Sequence, residues 1–165
     1  MVTPRGDFRH SEPNTPGAIV EKEVTPQEDS MRKLVVLGSG TAGTMIVNKL
    51  RRRLDRRDWS ITVVDRDDEH HYQPGYLFMP FGMNTPEQVR RSRHTFIADG
   101  VTMVLGEIDR VDAEKQAVFL QDGRDLGYDY LVLATGSRIV PEAIEHFDTE
   151  AQHFYTAEAA ARLRA

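Results

Sequence analysis

The 165-residue sequence has no cysteine, which excludes disulfides, zinc-thiolate sites and any thiol chemistry carried by the chain itself. It has no apolar run near the roughly 20 residues that a helix needs to cross a bilayer, and its N-terminus lacks the basic-then-apolar build of a secretory signal. The expected compartment is the cytoplasm, with a peripheral position at a membrane as the alternative. Positive charge is not in surplus either. A net charge of -5 provides no general basic field for nucleic acid, and the local cluster RRRLDRR (Arg51 to Arg57) reads as a solvated helix face with its own acid. No internal repeat is visible.

What is present suits one soluble globular domain, read as α/β from the elements that follow: 39% hydrophobic and 28% charged residues in a length that allows a single real core. Residues 1–30 are rich in Pro, Glu, Thr and Ser without an apolar period, so they are expected to form a flexible leader. Met31 opens the ordered pattern, and translation starting there is the alternative. KLVVLG then reads as a buried strand, and AGTMIVNKLRRRL as a helix with Ala42, Ile46, Leu50 and Leu54 on one stripe. WSITVVD (Trp59 to Asp65) is a second strand, completing a βαβ unit.

An aromatic-rich loop follows to Gly82, then a predicted helix over NTPEQVRRSRHTF, with Thr85 as N-cap, Pro86 at the first position and Gln88 closing a capping box. In that helix Arg93 and His94 merely complement the C-terminal dipole. GVTMVLGEI is a third strand. The stretch DRVDAEKQAVFLQDGRDLGYDYLVLATG reads as an antiparallel meander ending in Tyr130 to Ala134, an unbroken apolar strand expected to be buried on both faces. Thr156 caps a last helix from Ala157 that meets no stop signal before Ala165, so the domain, residues 31–165, is expected to be truncated before a second one.

Gly38, Gly40 and Gly43 fit G-x-G-x-x-G between a strand and a helix, where the motif has a physical purpose. Gly38 permits the tight turn, Gly40 lets a pyrophosphate approach the backbone, and Gly43 lets helix and strand pack closely, while the helix N-terminus presents free N–H groups. Asp65 closes the second strand about 20 residues further on, where an acid accepts hydrogen bonds from ribose hydroxyls and repels a 2'-phosphate. The candidate cofactor-binding set here is Gly38, Ser39, Gly40, Thr41, Ala42, Gly43, Asp65 and Arg66. This unit by itself does not separate FAD from NAD.

YDYLVLATGSR (Tyr128 to Arg138), after its meander, resembles the second fingerprint of the FAD-dependent pyridine nucleotide-disulfide reductases and their relatives. The resemblance covers residues 33 to about 163. It implies FAD as cofactor, a strand ending in Ala134, Thr135 and Gly136 beside the FAD pyrophosphate, and Glu107 and Ile108 near the adenine. HHYQPGYLFMPFG is similar to the loop after the second strand of sulfide:quinone oxidoreductases, and HFYTAEAAARLR to the segment leading into their second domain. Type II NADH dehydrogenases and flavocytochrome sulfide dehydrogenases are neighbours. In a full-length parent the resemblance implies electron flow from sulfide, through redox cysteines and flavin, to a quinone. Where some members carry an early cysteine this chain has Ser137, and it is expected to be inactive alone and to bind FAD weakly, since later segments enclose the flavin. An NAD-dependent dehydrogenase domain and a non-catalytic remnant are the rival readings.

Other clusters carry less. DRDDEHH (Asp65 to His71) is better read as a solvated rim than as a metal site, and Ser137 lacks the G-x-S-x-G elbow of a nucleophile. Tyr72, Tyr76, Phe78 and Phe81 are candidates to line a quinone or flavin pocket, with a loop that packs its aromatics against the sheet as the simpler expectation.

Overall fold

The computed structural model describes residues 31–164, and the leader expected over residues 1–30 lies outside the described residues. Strand β1 (Arg32–Leu37) turns into helix α1 (Thr41–Arg51), which leads back to strand β2 (Trp59–Asp65). β1 and β2 pair in parallel, with Leu34 beside Ile61 and Leu37 beside Val64, and α1 is the crossover that such pairing requires. A hairpin of β3 (Glu69–His71) and β4 (Arg90–Ser92) follows, then β5 (Thr102–Leu105), parallel to β2. An antiparallel meander of β6 (Ile108–Asp112), β7 (Ala117–Leu120) and β8 (Asp125–Gly127) precedes β9 (Tyr130–Leu133), which returns to lie parallel to β1. The main sheet has the order β5-β2-β1-β9. Short helices α2 (Phe147–Glu150) and α3 (Ala157–Arg162) complete the described chain. This is the α/β, Rossmann-like parallel sheet with a small antiparallel meander that the sequence implies.

β1 is buried on both faces, which is why its sequence is apolar without alternation. Leu34 and Val36 pack with Ile61 and Val63 against Val47 of α1, with Ile46, Leu50 and Leu54 beside them. Val35, Leu37 and Val64 pack on the other face against Val118 and Leu120 of the meander. Each such side chain contributes about 1.5–3 kcal/mol when fully buried, so β1 is the stable platform from which the glycine turn projects. A third cluster docks α3 on the loop after β3, through Tyr76, Met79, Val89, Ala157 and Ala160.

Several expectations need correction. The α1 stripe is centred on Gly43 and Val47, and Ala42 is exposed at the mouth of the helix. Arg51 is not part of a solvated face: it is buried, and its guanidinium donates to the carbonyls of Trp59, Gly100 and Leu54. The predicted helix over residues 84–96 is absent. Thr85 and Gln88 do bond reciprocally as a capping box, at 2.9 and 3.4 Å, but the chain beyond Val89 pairs with β3 instead and then forms a short 3-10 turn, Arg93–Phe96. Strand pairing and burial of Val89 outweigh a local helix signal worth a fraction of a kcal/mol per residue. Among the described residues β9 lies at the edge of the main sheet, and it is only half-buried where burial on both faces was expected. Leu131 and Val132 reach the two cores, while Tyr130 and Leu133 remain more than half exposed. The loop to Gly82 is also less irregular than expected, holding β3 and the 3-10 helix Gln73–Phe78.

Candidate functional site

The glycine turn sits at the carboxyl end of the parallel strands, where open α/β sheets bind their ligands. Gly38 has φ +94°, and a Cβ there would press on the Ala134 carbonyl. At Gly43 a Cβ would overlap the Gly38 carbonyl oxygen. Both positions are glycine for the fold's own reasons. Gly40 is different: its φ of -66° suits any residue, and among the described residues no atom beyond its chain neighbours lies within 4 Å of where its Cβ would stand. No packing contact calls for glycine there. Gly40 is also the N-cap of α1, without a side-chain cap and with no acid in the first turn. The amides of Thr41, Ala42 and Gly43 are therefore left without intrahelical partners at the positive end of the helix.

Asp65 closes against this turn. Its Oδ2 accepts from the Ser39 N–H at 2.7 Å and the Ser39 hydroxyl at 2.9 Å, and its Oδ1 accepts from the Arg66 N–H at 2.8 Å. Ser39 is fully buried and the Asp65 side chain is 13% exposed. A carboxylate has about four lone-pair sites. Oδ2 is filled, which leaves one acceptor position on Oδ1 for a further donor.

Arg93, assigned only a helix-end role from sequence, is brought into the site. Its side chain is 12% exposed, and Nη1 lies 3.4 Å from Asp65 Oδ2. Nη1 donates to the Ser39 carbonyl at 3.1 Å, Nη2 to Asp67 Oδ1 at 3.2 Å and Nε to the Asp67 carbonyl at 3.0 Å. Burial works to raise the Asp67 carboxyl, but the Glu69 N–H and the Arg93 guanidinium outweigh it and hold it below the ordinary carboxylate range. His70 is pushed below its usual value by burial first, then by Arg93 and His71. The only sequence signal for Arg93 was the complementarity of acids at 67–69 with basic residues at 90–93, realised in the Arg90 to Glu69 ion pair at 3.0 Å.

The remaining expected residues converge on one cleft of about 950 Å³. Gly40, Asp65 and Arg93 line it together with Ala134, Thr135 and Gly136 and with Glu107 and Ile108. β9 brings Ala134 there by continuing the ladder, Ala134 N–H to the Leu37 carbonyl at 2.8 Å, and Gly136 follows with φ +75°. Arg66 borders the cleft, but its side chain is exposed and pairs with Asp67 at 3.2 Å. Ser137 bonds Tyr155 rather than any base, at 3.0 Å. Of the four loop aromatics, Tyr76 is buried and lines the cleft, whereas Tyr72, Phe78 and Phe81 are exposed and do not.

The sequence matches the family model described as pyridine nucleotide-disulphide oxidoreductase over residues 32–165. The mitochondrial sulfide:quinone oxidoreductase of Dictyostelium discoideum is 27% identical over 107 residues, covering 65% of this chain and 24% of that protein. The ferredoxin–NAD(+) reductase component of the p-cumate 2,3-dioxygenase system of Pseudomonas putida is 30% identical over 145 residues, covering 83% of this chain and 35% of that protein. The solved structure of the sulfide:quinone oxidoreductase of Aquifex aeolicus shares the fold with a TM-score of 0.70 at 23% identity, over 81% of this chain and 30% of that one. The chain spans about a quarter of the length of the curated sulfide:quinone oxidoreductases that it matches.

Proposed function

The chain belongs to the pyridine nucleotide-disulphide oxidoreductase family, and on that premise we propose that its cleft holds the adenosine-diphosphate end of FAD. The diphosphate sits at the amides of Gly40, Thr41 and Ala42, facing Ala134, Thr135 and Gly136. A ribose hydroxyl donates to the one open position on Asp65 Oδ1, and the adenine lies toward Glu107 and Ile108. The observation that carries this reading is the open space over Gly40, a glycine with no role in the protein's own packing at the mouth of an uncapped helix. Anions are stabilised at such a terminus.

Bound FAD supplies the electron-carrying chemistry, and this chain's own residues bind and orient it. In the full-length parent we assign electron transfer from sulfide to a quinone, in keeping with the named activity of the Dictyostelium discoideum and Aquifex aeolicus relatives. Peripheral association of the parent with the membrane belongs to the same proposal, and among the described residues no helix is long and apolar enough to cross a membrane. The isolated chain is proposed to be inactive and to hold FAD weakly, because affinity grows with enclosure and the chain corresponds to about a quarter of those relatives. A second reading, NAD at the same turn, draws on Asp65, whose free acceptor suits either ribose.

Absorbance and nucleotide titration of the purified parent separate the two. Flavin that copurifies, with ADP competing for its site, supports FAD; a colourless parent that binds NADH tightly supports the rival. Recovery of the 165-residue chain with stoichiometric flavin would overturn the weak-binding part.

A further inference from the structure

Asp65 and Asp67 lie within ion-pair distance of one guanidinium beside the glycine turn, that of Arg93. Asp67 also pairs with the exposed Arg66, and Glu69 with Arg90. A diphosphate brought to the Gly40 amide meets the Asp65 carboxylate, and like charges at short range oppose binding wherever solvent is excluded. Among the arginines of this cluster Arg93 is the buried one, 12% exposed, and the half of its fork that faces the turn compensates that charge.

The same guanidinium sets the direction of a peptide. The Ser39 carbonyl accepts from Arg93 Nη1 at 3.1 Å and from the Thr44 hydroxyl at 2.8 Å. In a planar trans peptide the carbonyl and the next N–H point to opposite sides. Fixing the Ser39 oxygen toward Arg93 and Thr44 therefore turns the Gly40 N–H the other way, and Gly40 lines the cleft. Arg93 simultaneously holds the Asp67 carbonyl and carboxylate and stands beside Asp65. Its planar fork serves all of these acceptors at once, which the single point charge of lysine cannot do.

We propose that Arg93 is the positioning residue of the glycine turn: by clamping the Ser39 carbonyl and balancing Asp65 and Asp67, it makes the turn receptive to a diphosphate. It lines the cleft and acts through Ser39 and the two acids. This rests on the nucleotide reading above and adds to it a specific dependence, that Arg93 matters for the phosphates rather than for the nucleoside. The β3–β4 hairpin thereby becomes part of the site, since Arg93 follows β4 directly.

The test uses the full 165-residue chain, labelled with nitrogen-15 and titrated with ADP and, separately, with adenosine, in wild type, R93M and R93K. Wild type is expected to bind ADP more tightly than adenosine, with the Gly40 amide among the most shifted. R93M is expected to lose ADP affinity by about tenfold or more, the scale of a hydrogen-bonded charge, while adenosine affinity stays within about twofold and the Gly40 response disappears. R93K keeps the charge and loses the fork, so it falls between the two, and it carries the test if R93M does not give a folded spectrum. A folded variant that loses ADP and adenosine in equal proportion, or that binds ADP as wild type does, overturns the role of Arg93. Failure of wild type to bind ADP at all would instead overturn the nucleotide reading on which it rests.

Discussion

Two glycines three residues apart in the same turn are expected to respond to alanine in opposite ways. At Gly43 the added Cβ overlaps the Gly38 carbonyl oxygen, a backbone atom that cannot swing aside. Overpacking of this kind costs roughly 3 kcal/mol at its upper range. Replacing glycine within a helix returns at most about 1 kcal/mol, so G43A should lose about 2 kcal/mol net, or about 8 °C in Tm at about 4 °C per kcal/mol for a domain of this size. At Gly40 the Cβ enters open space at an ordinary φ, and only the weaker N-cap preference of alanine is felt, at most about 1 kcal/mol and about 4 °C. The methyl group stands over the amides where the diphosphate is placed, however, so G40A should lose ADP affinity by about tenfold or more. Thermal denaturation of both variants, with ADP titration of G40A, checks the pair. Equal destabilisation of the two, or wild-type ADP affinity in G40A, would refute the division of roles.

Three further outcomes follow from the geometry. D65N keeps an acceptor for Ser39 but gives up the Oδ1 acceptor proposed for the ribose, and it is expected to weaken adenosine by about tenfold while narrowing the discrimination of ADP over 2',5'-ADP, both read by competition titration. Because His70 is held below its usual 6.5 by burial, Arg93 and His71, the folded state binds fewer protons than the unfolded one just below that pH. Stability should therefore fall as pH drops through 6.5 toward the lowered folded value, and H70Q should flatten that part of the profile. R51M leaves the Trp59, Gly100 and Leu54 carbonyls without their donor and should cost about 2 kcal/mol by urea denaturation, whereas R57M, on an exposed pair, should leave the urea midpoint where it is in wild type.

The βαβ unit could be read from the chain because its signals are local and redundant. Leu34 to Leu37 form an unbroken apolar run because both faces are covered, and Gly38 and Gly43 are fixed by the close passage of Ala134 and of the turn on itself. Arg93 was hidden for a physical reason. The capping signature at Thr85 to Gln88 is real and its bonds form, yet nothing within those residues reports that Arg90 to Ser92 will find Glu69 to His71 and stop the helix. Arg51 was hidden likewise, since a basic cluster does not reveal which member turns toward the carbonyls of Trp59 and Gly100. The covering of β9 also depends on neighbours that its own apolar run cannot specify: Leu133 is 69% exposed.

The most direct measurement is a crystal structure of this chain soaked with ADP. The expected result is a diphosphate oxygen within hydrogen-bond distance of the Gly40 and Thr41 amides, with a ribose hydroxyl on Asp65 Oδ1 and the Arg93 clamp on Ser39 intact. A diphosphate bound elsewhere, or a Ser39 carbonyl turned into the cleft to close the turn, would contradict it.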